Sequence, residues 1–142
     1  MILLDTDHLS LLKYHDSDRQ RRLVARITLA AGQTFGVTII SVEEQMRGWL
    51  AAIALQKQVR RQVSAYRELG RLFDFFRPFT LASFDNAAVE RFELLRSGGV
   101  RIGTMDLKIA SIVLSLDALL LTANRQDFGQ VPGLRFENWM DD

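Results

Sequence analysis

Ile2-Leu3-Leu4-Asp5-Thr6-Asp7-His8-Leu9-Ser10-Leu11-Leu12 stands at the start of the chain, and its reading decides the fold. Three consecutive apolar residues suit a short strand, and two aspartates either side of a threonine stop it. Leu9, Leu11 and Leu12 then begin a helical pattern. A strand feeding a helix in this way is the unit of an α/β fold, and it leaves Asp5 and Asp7 at the strand's carboxyl end.

The same alternation continues along the chain. A polar stretch from His15 to Gln20 leads into a helical pattern with Leu23, Ile27 and Ala30 on one face and Gly32 as its stop. Residues 35–40 are β-branched and apolar and predict a buried second strand, ended by Ser41. From Ser41 to about Phe76 no proline interrupts an alanine-, leucine- and arginine-rich run, which predicts one long helix or two joined near Ala54. Phe79-Thr80-Leu81 suits a short strand, and Ser83 with Asp85 opens a helix carrying Ala88, Phe92 and Leu95, broken at Ser97-Gly98-Gly99. Thr104 is placed to cap a helix bearing Leu107, Ile109, Ala110 and Val113. Leu119-Leu120-Leu121-Thr122 follows as a buried strand, and Leu134-Arg135-Phe136 as an edge strand after the Pro132-Gly133 turn. Short apolar strands alternating with helices predict an α/β domain with a mostly parallel sheet.

The 142 residues suffice for a single domain, 1–142, that folds without disulfides or a structural metal. Absence of cysteine excludes thiolate chemistry and leaves His8 and His15 as the nitrogen donors, so any metal is held mainly by oxygen. Neither histidine has a second nitrogen or sulfur ligand at zinc spacing, and both are expected at the surface or at helix ends, without a role. The apolar N-terminus is too short for a signal peptide or a membrane span, which predicts a cytoplasmic protein with no membrane association. Net charge is +1, but residues 47–77 hold seven basic side chains (Arg47, Lys57, Arg60, Arg61, Arg67, Arg71, Arg77) against Glu68 and Asp74, hence 7 − 2 = +5. A basic arm beside a more acidic body suits a protein that grips phosphate with one part and cations with another, and equally a solvated helix face.

Ligands of open α/β sheets bind beyond the carboxyl ends of the strands. Asp5 and Asp7 follow the first strand, Glu43 and Glu44 the second, and Asn124 and Asp127 the strand ending at Thr122. Asp106 faces the same crevice if its helix begins at that edge. Carboxylates brought together raise one another's pKa unless a cation neutralises them, so the cluster predicts Mg²⁺ or Mn²⁺. Such a site activates water against a phosphodiester, leaving 5′-phosphate and 3′-hydroxyl ends. Taken singly, each acid has an ordinary alternative. Asp5, Asp7 and Asp106 suit helix N-termini, Ser41-Val42-Glu43-Glu44 suits a capping box, and Asn124 with Asp127 suits a polar turn.

As a set, these segments resemble the motifs of PIN-domain ribonucleases, in particular the VapC-type toxins of type II toxin–antitoxin pairs. Residues 2–10 resemble the opening motif. Ser41 to Gly48 is similar to the second, a serine, two residues, a glutamate and a glycine four further on, which selects Glu44. Ile102 to Ala110 matches the third at Asp106, and Leu121 to Phe128 with Val131-Pro132-Gly133-Leu134 and Asn138-Trp139 resembles the C-terminal signature. Together they span nearly the whole chain. The resemblance implies a three-layer α/β/α fold around four to five mostly parallel strands. It implies an Mg²⁺- or Mn²⁺-dependent endoribonuclease with Asp5, Glu44 and Asp106 as catalytic and metal-binding acids, supported by Thr6 and Thr122. Where many members have an aspartate this chain has Asn124, leaving Asp127 as a substitute and the number of metals open. A homodimer, a cognate antitoxin whose tail enters the groove, and a structured RNA target are implied as well. Two other readings stand beside this one: a haloacid-dehalogenase-like phosphatase, from Asp5-Thr6-Asp7 after an N-terminal strand, and a PIN module that binds RNA or antitoxin without catalysis.

Overall fold

A computed structural model describes residues 1–14 and 17–141. Strand β1 (Ile2–Leu4) is followed by α1 (Thr6–Tyr14), α2 (Asp18–Leu29) and β2 (Phe35–Thr38). Then come α3 (Ile39–Leu55), a 3₁₀ turn (Val59–Gln62), α4 (Val63–Phe76), β3 (Thr80–Ala82), α5 (Asn86–Ser97) and α6 (Thr104–Ser115). β4 (Leu119–Leu121), α7 (Arg125–Phe128) and β5 (Arg135–Glu137) close the chain.

All five strands are parallel, in the order β3-β2-β1-β4-β5, with Ile2 in register with both Phe35 and Leu119. Side chains alternate across the sheet. Leu3 and Leu120 pack on one face with Ala88 of α5 and Ile109, Ile112 and Val113 of α6. Ile2, Leu4 and Leu121 pack on the other with Leu9 and Leu11 of α1 and Leu23 of α2. The expected three-layer α/β/α architecture is present. Gly36 is required where β2 meets β3, since a Cβ there would stand 2.6 Å from the Thr80 carbonyl oxygen.

Several boundaries differ from the sequence expectation, each for a local reason. β2 stops at Thr38, not Ile40: the Thr38 hydroxyl accepts the Ser41 amide at 3.2 Å, capping α3 and drawing Ile39 and Ile40 into the helix despite their strand propensity. The cap is therefore Thr38, not Ser41. Likewise Gly103 occupies the N-cap of α6, and Thr104 is its first helical residue. The long run after β2 is two helices, and the Gln62 amide donates to the Ile53 and Gln56 carbonyls at 3.1 and 3.0 Å, satisfying the end of α3. β3 and β5 each begin one residue later than expected, and α7 lies within what the sequence presents as a polar turn.

Candidate active site

The chain runs from β1 outward to β2 and β3, then returns to the other flank of β1 as β4 and β5. The crevice between β1 and β4 at their carboxyl ends is the topological switch point, where such sheets bind ligands. Because α6 leads into parallel strand β4, its N-terminus lies at this edge and brings Asp106 with it.

Asp5 is buried at the tip of β1 and fully hydrogen-bonded. The Thr6 amide donates to its Oδ1 and the Thr122 hydroxyl to its Oδ2, both at 2.8 Å. Burial, the neighbouring Asp7 carboxylate and Asp106 push its carboxyl up from 3.8 to about 6, although both hydrogen bonds act the other way. Glu44 is also raised, by burial and by the charges of Asp5 and Asp106, and the Thr6 hydroxyl donates to its Oε2 at 3.4 Å. With Thr38 as the cap of α3, the capping-box role of Glu44 falls away. Glu43 points elsewhere, to Arg47 at 2.5 Å.

Asp106 is raised by burial, by the charge of Asp127 and by a hydrogen bond shared with it. Asn124 holds that partner in place. Its Oδ1 accepts the Asp127 amide at 3.2 Å, and its Nδ2 donates to Asp127 Oδ2 at 3.1 Å. Of the two residues open for the fourth acidic position, Asp127 thus carries the carboxylate beside Asp106, and Asn124 caps α7 and orients it.

Asp7 behaves oppositely to Asp5. Burial would raise it, yet the His8 imidazole, the Ala123 amide and the His8 amide outweigh burial and hold it below the usual carboxylate range. The Ala123 amide donates to Asp7 Oδ2 at 2.8 Å, tying the loop after β4 to the start of α1. His8 is the clearest departure from the sequence reading. It is fully buried, not at the surface, with Nδ1 at 2.6 Å from Asp7 Oδ1 and Nε2 accepting the Trp139 amide at 3.1 Å. A signal for this exists in its spacing, since His8 lies on the inward face of α1 with Leu11 and Leu12. His15 falls outside the described residues.

Among the described residues, no group of three or more His, Cys, Asp or Glu is placed closely enough to hold a metal ion as it stands. The donor set nevertheless fits a hard dication. Burial raises Asp5, Glu44 and Asp106, each also feels a neighbouring carboxylate, and a bound cation would offset both through oxygen ligands alone. With a dication held there, the arrangement could meet the charge of a phosphate, and Asp106 shares a hydrogen bond with Asp127 beside it.

A parallel α/β domain with a carboxylate-lined crevice at its switch point is the class that fold and site define. Solved structures with the same fold are chains of toxin–antitoxin assemblies. VapBC2 from Rickettsia felis, bound to a promoter DNA fragment, is 22% identical over 98% of this chain and 99% of that one, with a TM-score of 0.70. DNA-bound VapBC from Salmonella typhimurium is 21% identical over 97% of each chain, with a TM-score of 0.73. A toxin–antitoxin complex from Klebsiella pneumoniae is 21% identical over 94% and 95%, with a TM-score of 0.65. The chain shares their PIN-like α/β/α fold. No family model and no curated protein sequence matches it. Among the described residues, no helix is long and apolar enough to cross a membrane.

Proposed function

We propose that this chain is a metal-dependent endoribonuclease, the toxin of a toxin–antitoxin pair, acting in the cytoplasm as a homodimer from a single domain. The observation that carries the reading is the approach of Asp5, Glu44 and Asp106, delivered by β1, α3 and α6, with all three carboxyls raised by burial and neighbouring carboxylates at one crevice. The fold shared with chains of VapBC complexes supports the toxin role and the antitoxin partner. When bound, Mg²⁺ or Mn²⁺ supplies charge neutralisation at the phosphodiester and activation of the attacking water.

The protein's part is placement. Thr122 and the Thr6 amide hold Asp5 in one orientation. The Thr6 hydroxyl steadies Glu44, and Asn124 presents Asp127 to Asp106, with which it shares a hydrogen bond. Lys57, Arg60, Arg61 and Arg67 form no ion pair among the described residues and are free to meet RNA phosphates.

The deciding experiment is cleavage of total RNA by purified, antitoxin-free protein with Mg²⁺ or Mn²⁺, with EDTA, and with Asp5→Asn or Asp106→Asn. Discrete metal-dependent fragments with 5′-phosphate ends, lost in both folded variants, are expected. Turnover of small phosphate esters through an aspartyl-phosphate would instead establish the phosphatase. RNA or antitoxin binding without cleavage, indifferent to Asp5→Asn, would establish the binding module.

A further inference from the structure

His8 and Asp7 take no direct part in that chemistry, yet the fully buried His8 ring is hydrogen-bonded at both nitrogens, to the half-buried Asp7 and to Trp139. The Trp139 amide can only donate, so His8 Nε2 must present its lone pair, and the ring hydrogen that meets Asp7 sits on Nδ1. Asp7 Oδ1 also accepts the His8 amide at 2.6 Å, which fixes the rotamer of the carboxylate. Its Oδ2 is thereby aimed at the Ala123 amide, 2.8 Å away. Ala123 follows Thr122, whose hydroxyl donates to Asp5 at 2.8 Å while accepting the Asn124 amide at 3.1 Å. Continuous bonds therefore run from Trp139 through His8, Asp7 and the loop after β4 to Asp5 on one branch and, through Asn124, to Asp127 on the other.

The far end is also anchored. Arg26 donates to the Asn138 carbonyl at 3.1 Å and Arg22 to the Met140 carbonyl at 3.2 Å, Arg19 pairs with Asp141 at 2.9 Å, and Met140 is buried. Residues 138–141 are thus seated on α2 while the Trp139 amide sets the tautomer of His8. We propose that His8 is a positioning residue: with Asp7 it forms a strut that locks the loop carrying Thr122, Asn124 and Asp127 against the start of α1, fixing Asp5 and Asp127 in register. The strut itself stands on geometry alone, and only its consequence for metal binding rests on the proposed nuclease function.

His8→Asn and His8→Gln separate the two ends of the imidazole. Asparagine keeps a donor near the Nδ1 position and loses the Trp139 acceptor, whereas glutamine keeps an acceptor near Nε2 and loses the donor to Asp7. Both variants are expected to melt below the parent protein, since both leave a buried void. In His8→Gln, Ala123 amide exchange should speed up about tenfold and Mn²⁺ affinity, by titration calorimetry, should fall about tenfold, whereas His8→Asn should keep both within about threefold of the parent. Imidazole ¹⁵N shifts of the parent should show hydrogen on Nδ1. An Nε2–H tautomer, or parent-like exchange at Ala123 in folded His8→Gln, would overturn the strut. If His8→Gln does not fold, Asp7→Asn replaces it, because an amide nitrogen in the place of Oδ2 cannot accept the Ala123 amide. Faster Ala123 exchange in that variant supports the strut, and unchanged exchange refutes it. A parent that binds no Mn²⁺ defeats the nuclease reading, while Ala123 exchange still decides the strut.

Discussion

The carboxyl edge of the sheet and the arm formed by α3, the 3₁₀ turn and α4 treat charge in opposite ways. At the edge, Asp5, His8 and Thr122 are buried and each is hydrogen-bonded, and burial raises Asp5, Glu44 and Asp106. On the arm, Leu55 and Val59 are 78% exposed, and Arg47, Arg71 and Arg77 pair with acids three or four residues away. Pairs of that kind contribute only about 0.3–0.5 kcal/mol each. Charge is costly at the edge, so every group there is held in one place. On the arm it costs little, and side chains stay available to a partner.

That contrast can be broken at either end, and core packing beneath the edge gives the largest effect. Phe128, fully buried in α7, pins the helix that presents Asp127. Phe128→Ala should cost about 3–5 kcal/mol in denaturant titration. Leu55→Ala on the arm should stay within about 0.5 kcal/mol, and comparable losses at both sites would erase the distinction.

Next in size is the cost of ionising the buried acids at the edge. A carboxyl raised from 3.8 to about 6 in the fold binds its proton more tightly than in the unfolded chain. Metal-free protein is thus fully relieved of this penalty below about pH 3.8 and loses stability as pH rises through about 6, by on the order of 3 kcal/mol from Asp5. Glu44 and Asp106 act in the same direction. Asp7 has the opposite sign, but its contribution is lost only as pH falls below the ordinary aspartate range. Thermal melts of metal-free protein from pH 4 to 8 should show Tm falling across this window. The fall should be shallower in Asp5→Asn and offset by Mg²⁺ near pH 7.5. A flat profile would show that burial and the neighbouring carboxylates do not raise these acids as described.

The smallest effect belongs to the arm. Reversing Arg60, Arg61 and Arg67 to glutamate should leave Tm near the parent value. It should weaken RNA binding and lower the salt dependence of log Kd by about one for each phosphate no longer neutralised. Unchanged affinity and slope would return these arginines to the role of a solvated helix face.

Much of this is legible in the sequence because the signals are local. The apolar runs at 2–4 and 119–121, the aspartate cap of α5 and the break between α3 and α4 each depend on residues close together in the chain. What misleads is competition between local signals. Ile39 and Ile40 favour strand, yet the Thr38 hydroxyl starts a helix beneath them, and Ser41 loses the cap for the same reason. His8 defeats the sequence reading because the lack of a second zinc-spaced ligand says nothing of burial, and the partner of its Nε2 lies 131 positions away at Trp139.

By itself, then, the sequence determined that strands and helices alternate and that acids follow the strands, because hydrophobic periodicity and turn chemistry act within a few residues. The motif already selects Glu44 over Glu43, but only the tertiary structure decided that Glu43 turns to Arg47, that Asp127 rather than Asn124 stands beside Asp106, and that Asp5 and Asp7 shift in opposite directions. Those outcomes depend on burial and on hydrogen bonds between residues far apart in the chain, which come into being only when the crevice closes around them.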